Sequence, residues 1–499
     1  MTPRKPPVPS PNQFFISCEN VQLMQTEWSD ETTNNTNTNT DNINRPPASI
    51  FKPVLATLAS TACQFFLGAM LGQSSTMLPQ LKAEGSSIRI TDEQATWIAS
   101  MGVIGTPMSS ILCGPLTDKL GRKRIILVFL FLSAVGHALL GYSSNLTEIL
   151  IGRFLLGTAA GFGFPSLVYI SEISTPKHRS LLLSSATISA SLGLTYVYSV
   201  GGSMPWDRAS LITASLSLLA LVYACSIPES PAWLFQHQRR QETIESLKWL
   251  KGQHCNIEVE LKLLEASCNH QKKRALALSQ LTKPTVFKPF LVLSCLAFMQ
   301  NGTGFYILLY YSVDFLREFK TTMDPQKVSI ALALTRLISC TVASLFIKRL
   351  RRRTVGIFSG LAMAGILGVI YLSLTTFREA VGSGPVPVLS LLAYIFACSL
   401  GVHPLPWLMI FELYPLSVRG LMCGLSNSVC YLFTFLFLKL YYVMITNLQI
   451  HGTILLFLCS SAAFGLFSAF LLPETQGKTL LEIEQGFMSK KDRAARRSG

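Results

Sequence analysis

The sequence predicts an all-α membrane protein with twelve transmembrane helices in two pseudo-symmetric six-helix halves. Three observations lead to this fold class: the composition, the number of long apolar runs, and a set of motifs that recurs in each half. Of the 499 residues, 49% are hydrophobic and 14% are charged. A soluble protein carries charge at about a quarter of its positions. The composition therefore excludes an ordinary soluble domain.

About twelve apolar runs are long enough to cross roughly 30 Å of hydrocarbon as helices. They divide the chain into a disordered cytoplasmic N-terminal tail, two six-helix bundles, a cytoplasmic loop with short amphipathic helices between the bundles, and a cytoplasmic C-terminal tail. The expected boundaries of these segments are 1–52, 53–227, 228–287, 288–472 and 473–499. The runs themselves lie at approximately 53–78, 95–115, 125–142, 148–171, 181–201, 209–227, 288–312, 326–347, 355–376, 387–411, 421–445 and 452–472.

The net charge of +15 follows this topology rather than a nucleic-acid partner. If both ends of the chain lie inside, the inner loops and tails carry about 32 of the 42 Lys and Arg residues, and the outer loops carry about six. This asymmetry is the positive-inside rule, and no nucleic-acid-binding motif accompanies it. The twelve cysteines and seven histidines show no metal-ligand spacing.

Three motifs occur twice in the same order, which indicates a parallel duplication of the six-helix unit. A charged turn follows span 2 and span 8 at an offset of 230 residues, and a segment with Glu seven residues before Arg recurs at an offset of 240. A Pro-Glu-Ser/Thr triplet recurs at an offset of 245. The paired positions are Asp118 and Arg122 with Lys348 and Arg352, Glu172 and Arg179 with Glu412 and Arg419, and Pro228 with Pro473.

These motifs together resemble those of the sugar porters of the major facilitator superfamily, over about residues 53–488. The matching stretches are "GPLTDKLGRKR", "GRFLLGTAAGFG", "VYISEISTPKHR", "PESPAWL", "QNGTGFYILLYYS", "PLPW", "FELYPLSVRG" and "PETQGKTL". "ITDEQATWIAS" before span 2 is typical of the insect-type facilitated trehalose and hexose transporters. The resemblance implies a multi-pass protein of the plasma membrane that moves a sugar by alternating access between paired halves. It implies neither an enzyme nor a cofactor.

In the family, acids and arginines at the helix ends form a cytoplasmic gate between the halves. A network of partly exposed pairs can hold such a gate and still break, because each pair contributes only about 1 kcal/mol. In the second copy Lys348 stands where an acid is usual, so we expect a lopsided gate there or a turn that binds anionic lipid. The gate residues implied here are Asp118, Arg122, Lys123, Glu172, Arg179, Arg352, Glu412 and Arg419.

A sugar site needs neutral donors and acceptors and an aromatic face. By resemblance, Tyr310 and Tyr311 form the outer gate, and Pro404 and Pro406 break span 10. Several positions depart from the family pattern. Tyr306 and Tyr431 replace asparagines, Thr187 replaces a glutamine, and Ser428 stands where glucose facilitators have tryptophan. His403 interrupts a G-x-G-P motif, and Arg336 stands where many relatives have a cavity-facing asparagine. The substrate-binding residues implied are Gln300, Asn301, Tyr306, Trp407, Asn427, Thr187 and Arg336.

An arginine in mid-span is costly, so Arg336 indicates either function, or an internal pair, or a water-filled crevice. If it faces the substrate, the protein could carry an organic anion instead of a neutral sugar. A sensor that binds a sugar without moving it is a further alternative. No Asp or Glu lies between Lys52 and Lys82, where proton-coupled sugar porters carry an acid, and "GKT" at 477–479 lacks the leading glycine of a P-loop. We therefore predict gradient-driven uniport.

Overall fold

The computed structural model describes residues 51–86, 88–252, 256–272, 283–319, 323–346, 350–376, 385–415, 418–476, 478 and 480–487. Residues 1–50 of the predicted disordered N-terminal tail and residues 488–499 of the C-terminal tail lie outside the described residues. Helices account for most of the described chain. They are α1 Phe51–Leu81, α2 Asp92–Leu120, α3 Arg122–Gly141, α4 Leu146–Gly161, α5 Phe164–Ile173, α6 Pro176–Ser203, α7 Trp206–Cys225, α8 Pro231–Gln236, α9 Arg240–Lys251, α10 Ile257–Lys272, α11 Pro284–Gly302, α12 Phe305–Tyr310, α13 Ser312–Glu318, α14 Pro325–Phe346, α15 Arg352–Thr375, α16 Val386–Leu400, α17 Pro404–Leu413, α18 Arg419–Phe470 and α19 Leu480–Phe487.

Ten stretches of the described chain are helical, long and apolar enough to cross a membrane. One of them, Leu421–Phe470, has 50 residues and covers spans 11 and 12, which are separated by a break at Gln449 (φ 56°). Phe437 and Ser460, on either side of this break, both lie beside Gly302, so the chain folds back on itself. With span 7, which α11 to α13 form in three pieces, the fold has the predicted twelve spans.

Glycines allow neighbouring spans to approach at backbone distance. A Cβ atom added at Gly68 of span 1 would lie 1.8 Å from the carbonyl oxygen of Ala190 in span 5. The converse holds for Gly193 of span 5, where a Cβ atom would lie 1.8 Å from the carbonyl oxygen of Phe65. In lipid, helices gain no hydrophobic free energy by associating. Small residues at such crossings allow the close van der Waals packing that holds the helices together instead.

The two halves meet along three pairs of spans. Span 2 packs on span 11, span 5 on span 8, and span 1 on the broken span 7. The interface is therefore lined by the spans that carry most of the predicted site residues.

Two spans of the second half, 7 and 10, are interrupted along their length. Span 7 breaks at Gly304, where φ is +83° and a Cβ atom would lie 2.4 Å from the Phe457 ring. Only glycine fits there without strain. Span 10 breaks between Leu400 and Pro404, which confirms the break predicted from the two prolines. Both interruptions leave backbone groups free to bind side chains.

The connection between the halves contains the short helices α8, α9 and α10. Leu247 and Leu250 of α9 are buried, in keeping with the amphipathic helices predicted for this segment, and α9 packs against α1. Lys52 lies 5.6 Å from the centre of the Trp249 ring, a cation–π contact that fixes this helix beside span 1.

Candidate functional site

The repeated motifs of the first half close into one polar cluster. Arg122, at the start of span 3, donates from Nε and Nη2 to Glu172 Oε1 at 3.2 and 3.0 Å. The backbone N–H groups of Arg122 and Lys123 donate to Glu229 at 3.0 Å, so this carboxylate caps the N-terminus of α3. The Ser230 hydroxyl donates to the other oxygen of Glu172. Three motifs, of which the first and last lie 107 residues apart in the sequence, thus form one site.

The second half builds the same cluster from its own copies. Arg352 donates from Nε and Nη2 to Glu412 Oε1 at 3.3 and 3.1 Å. Glu474 accepts from the backbone N–H of Arg352 at 3.0 Å and caps α15. The Thr475 hydroxyl donates to Glu412, as Ser230 does to Glu172. Glu412 and Glu474 thus both bind Arg352. The expectation of a lopsided second copy depends on Lys348, which lies outside the described residues, so it stays a prediction.

The remaining predicted gate residues contribute less in this conformation. Asp118 lies 3.8 Å from Arg122, but its side chain is 80% exposed, and Lys123 donates to the carbonyl oxygen of Cys225 at 2.8 Å. Nε of Arg179 is buried and has no hydrogen-bond partner in the described part of the chain. Lys348 and the side chain of Arg419 lie outside the described residues.

We call the end of the molecule with the two arginine–glutamate clusters the basic end. Both pairs at this end join residues of one half: Arg122 to Glu172 and Arg352 to Glu412. These two arginine–glutamate pairs therefore stabilise each half separately and do not join the halves across the interface.

At the opposite end, the halves are bonded directly to each other. The Tyr198 hydroxyl of span 5 donates to the carbonyl oxygen of Leu309 in span 7 at 2.6 Å. Gln326 of span 8 donates to the carbonyl oxygen of Tyr198 at 2.7 Å, and the backbone N–H of Val313 donates to Ser75 Oγ at 3.2 Å. These contacts close the opposite end.

Charged side chains reinforce this closure. Lys82, after span 1, donates to Asp92 and to the hydroxyl of Tyr442 in span 11, both at 2.6 Å. The Tyr442 hydroxyl in turn donates to Asp314 at 2.9 Å. Lys439 donates to Thr96 Oγ1 at 2.8 Å, and its ammonium lies 3.6 Å from the centre of the Trp97 ring. From the sequence, charged contacts were predicted only for the basic end.

The predicted outer-gate tyrosines lie within this closed region. Tyr310 and Tyr311 are fully buried between α12 and α13. Tyr311 stacks on Tyr441 with ring centroids 4.2 Å apart and donates to the carbonyl oxygen of Leu438 at 3.1 Å. Spans 7 and 11 are thus locked together where span 7 meets the first half.

Farther toward the middle, Asn427 is engaged across the interface. Its Nδ2 donates to Ser110 Oγ of span 2 at 2.8 Å, and the neighbouring Ser428 donates to the carbonyl oxygen of Pro107 at 2.9 Å. In this conformation the Asn427 amide joins the halves, although the resemblance implied a role in sugar binding.

A group of amide and aromatic side chains surrounds the two helix breaks. Gln300, at the end of α11, donates to the carbonyl oxygens of Val402 and His403 at 3.0 and 2.9 Å. Tyr306 packs edge-on against His403 at 6.1 Å, and Trp407 lies 5.7 Å from Tyr431 between ring centroids. The structure thus brings together Gln300 and Tyr306 around the break of span 10, with Trp407 in the helix that follows it.

The two other implied sugar ligands lie differently. Asn301 is buried, donates to the carbonyl oxygen of Ala297 at 2.9 Å, and keeps its Oδ1 without a partner among the described residues. Thr187 is exposed on α6, and its hydroxyl donates to the carbonyl oxygen of Ser184. Asn301 thus retains a free acceptor, whereas Thr187 binds its own helix.

Arg336 lies inside the second half and is 3% exposed. Its Nη2 lies 3.3 Å from Nε2 of His403, and its guanidinium stacks over the Phe305 ring at 5.7 Å. Nε and Nη1 of Arg336 have no partner among the described residues. The internal ion pair that the sequence analysis considered for Arg336 is therefore absent from the described part of the chain.

A second buried arginine was not assigned from the sequence. Arg153 of span 4 has no exposed surface, and neutral oxygens from spans 1 and 2 accept its N–H groups. The shortest of these bonds run to Ser74 Oγ at 2.7 Å and to the carbonyl oxygen of Ile98 at 3.1 Å. Gln73 Oε1 and the carbonyl oxygens of Met70 and Ala99 lie at 3.3 to 3.5 Å. This arginine binds three spans of the first half to each other.

The residues missed at the opposite end had only weak sequence signals. Lys82 follows an apolar run, and Lys439 and Tyr442 lie within one, so hydropathy alone presents them as anchors or packing residues. No group of three or more His, Cys, Asp or Glu side chains in the described ranges could hold a metal ion.

Two six-span halves that meet around interrupted central helices define a carrier of the major-facilitator type. The chain belongs to the family described as "Sugar (and other) transporter", which matches residues 52–487. This family consists of transporters, not enzymes, and its members are multi-pass membrane proteins.

Relatives with a named substrate share less than 30% sequence identity with this chain. It is 27% identical over 451 residues to the facilitated trehalose transporter Tret1 of Apis mellifera ligustica, with 89% of this chain and 90% of that protein covered. It is 28% identical over 450 residues to the Tret1-2 homologue of Drosophila simulans, with 88% and 92% covered.

Among solved structures, the inward-open xylose transporter XylE of E. coli matches with a TM-score of 0.71 at 21% identity, covering 86% of this chain and 98% of that one. The proton:xylose symporter XylE bound to 6-bromo-6-deoxy-D-glucose matches with a TM-score of 0.69 at 20% identity, covering 88% and 99%. These similarities show the fold.

Proposed function

We propose that this sugar transporter is a uniporter that moves an uncharged sugar, trehalose or a hexose, by alternating access. The observation that carries the proposal is the amide and aromatic group around the breaks of spans 7 and 10. Gln300 and Asn301 supply neutral hydrogen-bonding groups, and Tyr306 and Trp407 supply aromatic faces. An uncharged sugar needs this combination, because a few placed polar groups orient it while aromatic surface covers its ring.

The surroundings of Arg153 support uniport rather than proton coupling. Its guanidinium is satisfied by serine, glutamine and backbone oxygens, which do not take up protons near neutral pH. Span 1 carries no acid that could be protonated beside this arginine. This arrangement supports a cycle driven only by the sugar gradient.

Alternating access requires that the halves separate at one end while they close at the other. The bonds from Tyr198, Gln326 and Lys82 close the opposite end. We infer that the cytoplasmic gate forms at the basic end when Arg179 and the two Arg–Glu clusters engage across the interface. The excess of basic residues at this end supports a cytoplasmic position for it and for both termini. The plasma membrane is the location that the resemblance implies.

The proposal is tested by uptake of labelled glucose, fructose and trehalose into proteoliposomes that contain the purified full-length chain. We expect saturable uptake of at least one sugar, inhibited by excess unlabelled sugar, with equal initial rates with and without a pH gradient. Protein-free liposomes and the Trp407→Ala variant serve as controls.

Three results would count against the proposal. Uptake that requires an inward proton gradient would overturn uniport. Sugar binding in detergent without flux in liposomes would identify a sensor. Neither binding nor flux for any neutral sugar would refute the sugar site itself.

A further inference from the structure

The three unpartnered nitrogen atoms around Arg336 form a donor set inside the second half. Two belong to Arg336, Nε and Nη1, and the third is Nδ1 of His403. Arg336 is 3% exposed, so water from outside does not reach most of its surface. A buried donor without an acceptor is costly, and a buried unpaired charge is more so.

The contact between the two side chains fixes the role of each nitrogen. Nη2 of Arg336 lies 3.3 Å from Nε2 of His403. Arginine can only donate, so Nε2 must accept and the imidazole proton must sit on Nδ1. All three unpartnered atoms are therefore donors, and the pair carries one full positive charge and no matching acceptor.

The neighbours of Arg336 do not neutralise this charge. The Phe305 ring lies against the guanidinium, and the described ionisable groups that interact electrostatically with Arg336 include Tyr198, Tyr306, Cys398 and His403. None of these is a carboxylate. Arg336 takes part in none of the ion pairs found in the described part of the chain.

Arg153 shows how this protein stabilises a buried arginine when no anion is needed. It is buried to the same degree, but Ser74, Gln73 and three carbonyl oxygens accept its N–H groups. Among the described residues of the second half, no such set of acceptors surrounds Nε and Nη1 of Arg336. The difference lies in the acceptors, not in the burial.

We propose that Arg336 and His403 bind a monovalent anionic group beside the sugar site of the second half. This inference rests on the proposed function, because Gln300, a proposed sugar ligand, donates to the carbonyl oxygen of the same His403. The group comes either from a free inorganic anion such as chloride or from the carboxylate of a sugar acid. Both sources share the chemistry of a single negative charge that accepts several N–H bonds.

The test measures thermal unfolding of the purified full-length chain in detergent at constant ionic strength. Chloride replaces isethionate in one series, and glucuronate is compared with uncharged glucose in the other. A ligand that binds the folded chain with a Kd of about 10 mM shifts the folded-to-unfolded ratio roughly 16-fold at about 150 mM. We expect a saturable rise of the unfolding midpoint in at least one series and its loss in Arg336→Gln.

Arg153→Gln is the matched control, because it removes an equally buried arginine whose donors are already satisfied. It should keep the anion dependence even if it lowers the midpoint. Should Arg336→Gln fail to fold, Arg336→Lys keeps the charge but not the donor geometry and should weaken the anion effect severalfold. Broadening of the ³⁵Cl NMR signal by the wild-type protein measures the same site without any substitution.

Each outcome decides between the sources or against the site. Stabilisation by chloride alone identifies an inorganic counter-ion, and stabilisation by glucuronate with uptake of labelled glucuronate identifies a carboxylated substrate. A midpoint that neither anion changes, or an anion effect unchanged in Arg336→Gln, would overturn the proposal. Uptake of neutral sugar by the wild-type chain reports the proposed function separately.

Discussion

The contact between Lys82 and Tyr442 should bias the carrier toward the conformation that is closed at the opposite end. Lys82 keeps Asp92 as a partner within its own half, and Tyr442 keeps Asp314 within the other half. The bond that breaks when this end opens is the one from Lys82 to the Tyr442 hydroxyl at 2.6 Å. The cation–π contact of the Lys82 ammonium, 4.2 Å from the Tyr442 ring centre, breaks with it.

The size of the bias follows from these two contacts. The side chain of Lys82 is 23% exposed, so its charge-assisted bond lies near the low end of the usual range, about 1 kcal/mol. The cation–π contact adds about 0.5–1 kcal/mol. Tyr442→Phe should therefore shift the equilibrium about fivefold toward opening, and Lys82→Met, which removes both contacts, roughly 12- to 30-fold. The double variant should match Lys82→Met, because both substitutions remove the same interaction.

The shift can be measured as the distance distribution between spin labels placed on the two halves at the opposite end, in a cysteine-depleted background. Tyr142→Phe is the control, since it makes the same chemical change at a side chain that is 78% exposed. Unchanged distance distributions in both Lys82→Met and Tyr442→Phe would refute the reasoning. Strict additivity in the double variant would show that the two residues act separately.

Other substitutions test the packing and the basic end. Gly102→Ala should destabilise the chain by about 1–3 kcal/mol, because the new Cβ would lie 2.4 Å from Nη2 of Arg153. Gly365→Ala should not destabilise it, because a Cβ there would have nothing within 4 Å. Thermal unfolding of the two variants in detergent compares their stabilities. Arg122→Gln should lower the unfolding midpoint more than Arg352→Gln, because the first Arg–Glu pair is the more buried, with side chains 9% and 17% exposed against 14% and 28%. Equal midpoints for the two arginine variants would show that burial does not set the strength of these clusters.

Much of the fold could be predicted from the sequence, because bilayer thickness sets the length of each apolar run and the duplicated motifs set the symmetry. The offsets of 230, 240 and 245 residues paired Arg122 with Arg352, Glu172 with Glu412 and Pro228 with Pro473, and the structure places each set in one cluster per half. The break of span 10 followed from its prolines. These features depend on local chemistry or on spacing.

The partners of single polar side chains could not be predicted in the same way. Asn427 was expected to bind sugar, yet it donates to Ser110 across the interface, because its partner is set by how the halves are tilted. Arg153 and Arg336 look alike in sequence, since each is one arginine in an apolar span. Only the packing shows that the first has five neutral acceptors and the second has donors without partners.

A reversible cross-link between the halves at the opposite end tests the alternating-access account most directly. A Cβ atom at Gly202 of span 5 would lie 2.5 to 2.8 Å from the side chain of Gln326 in span 8, so cysteines at these two positions should form a disulfide. We expect the oxidised double variant to lose sugar uptake in proteoliposomes and to regain it on reduction, while each single variant transports under both conditions. Full uptake in the oxidised variant would contradict the account, because sugar would then cross without movement of the halves.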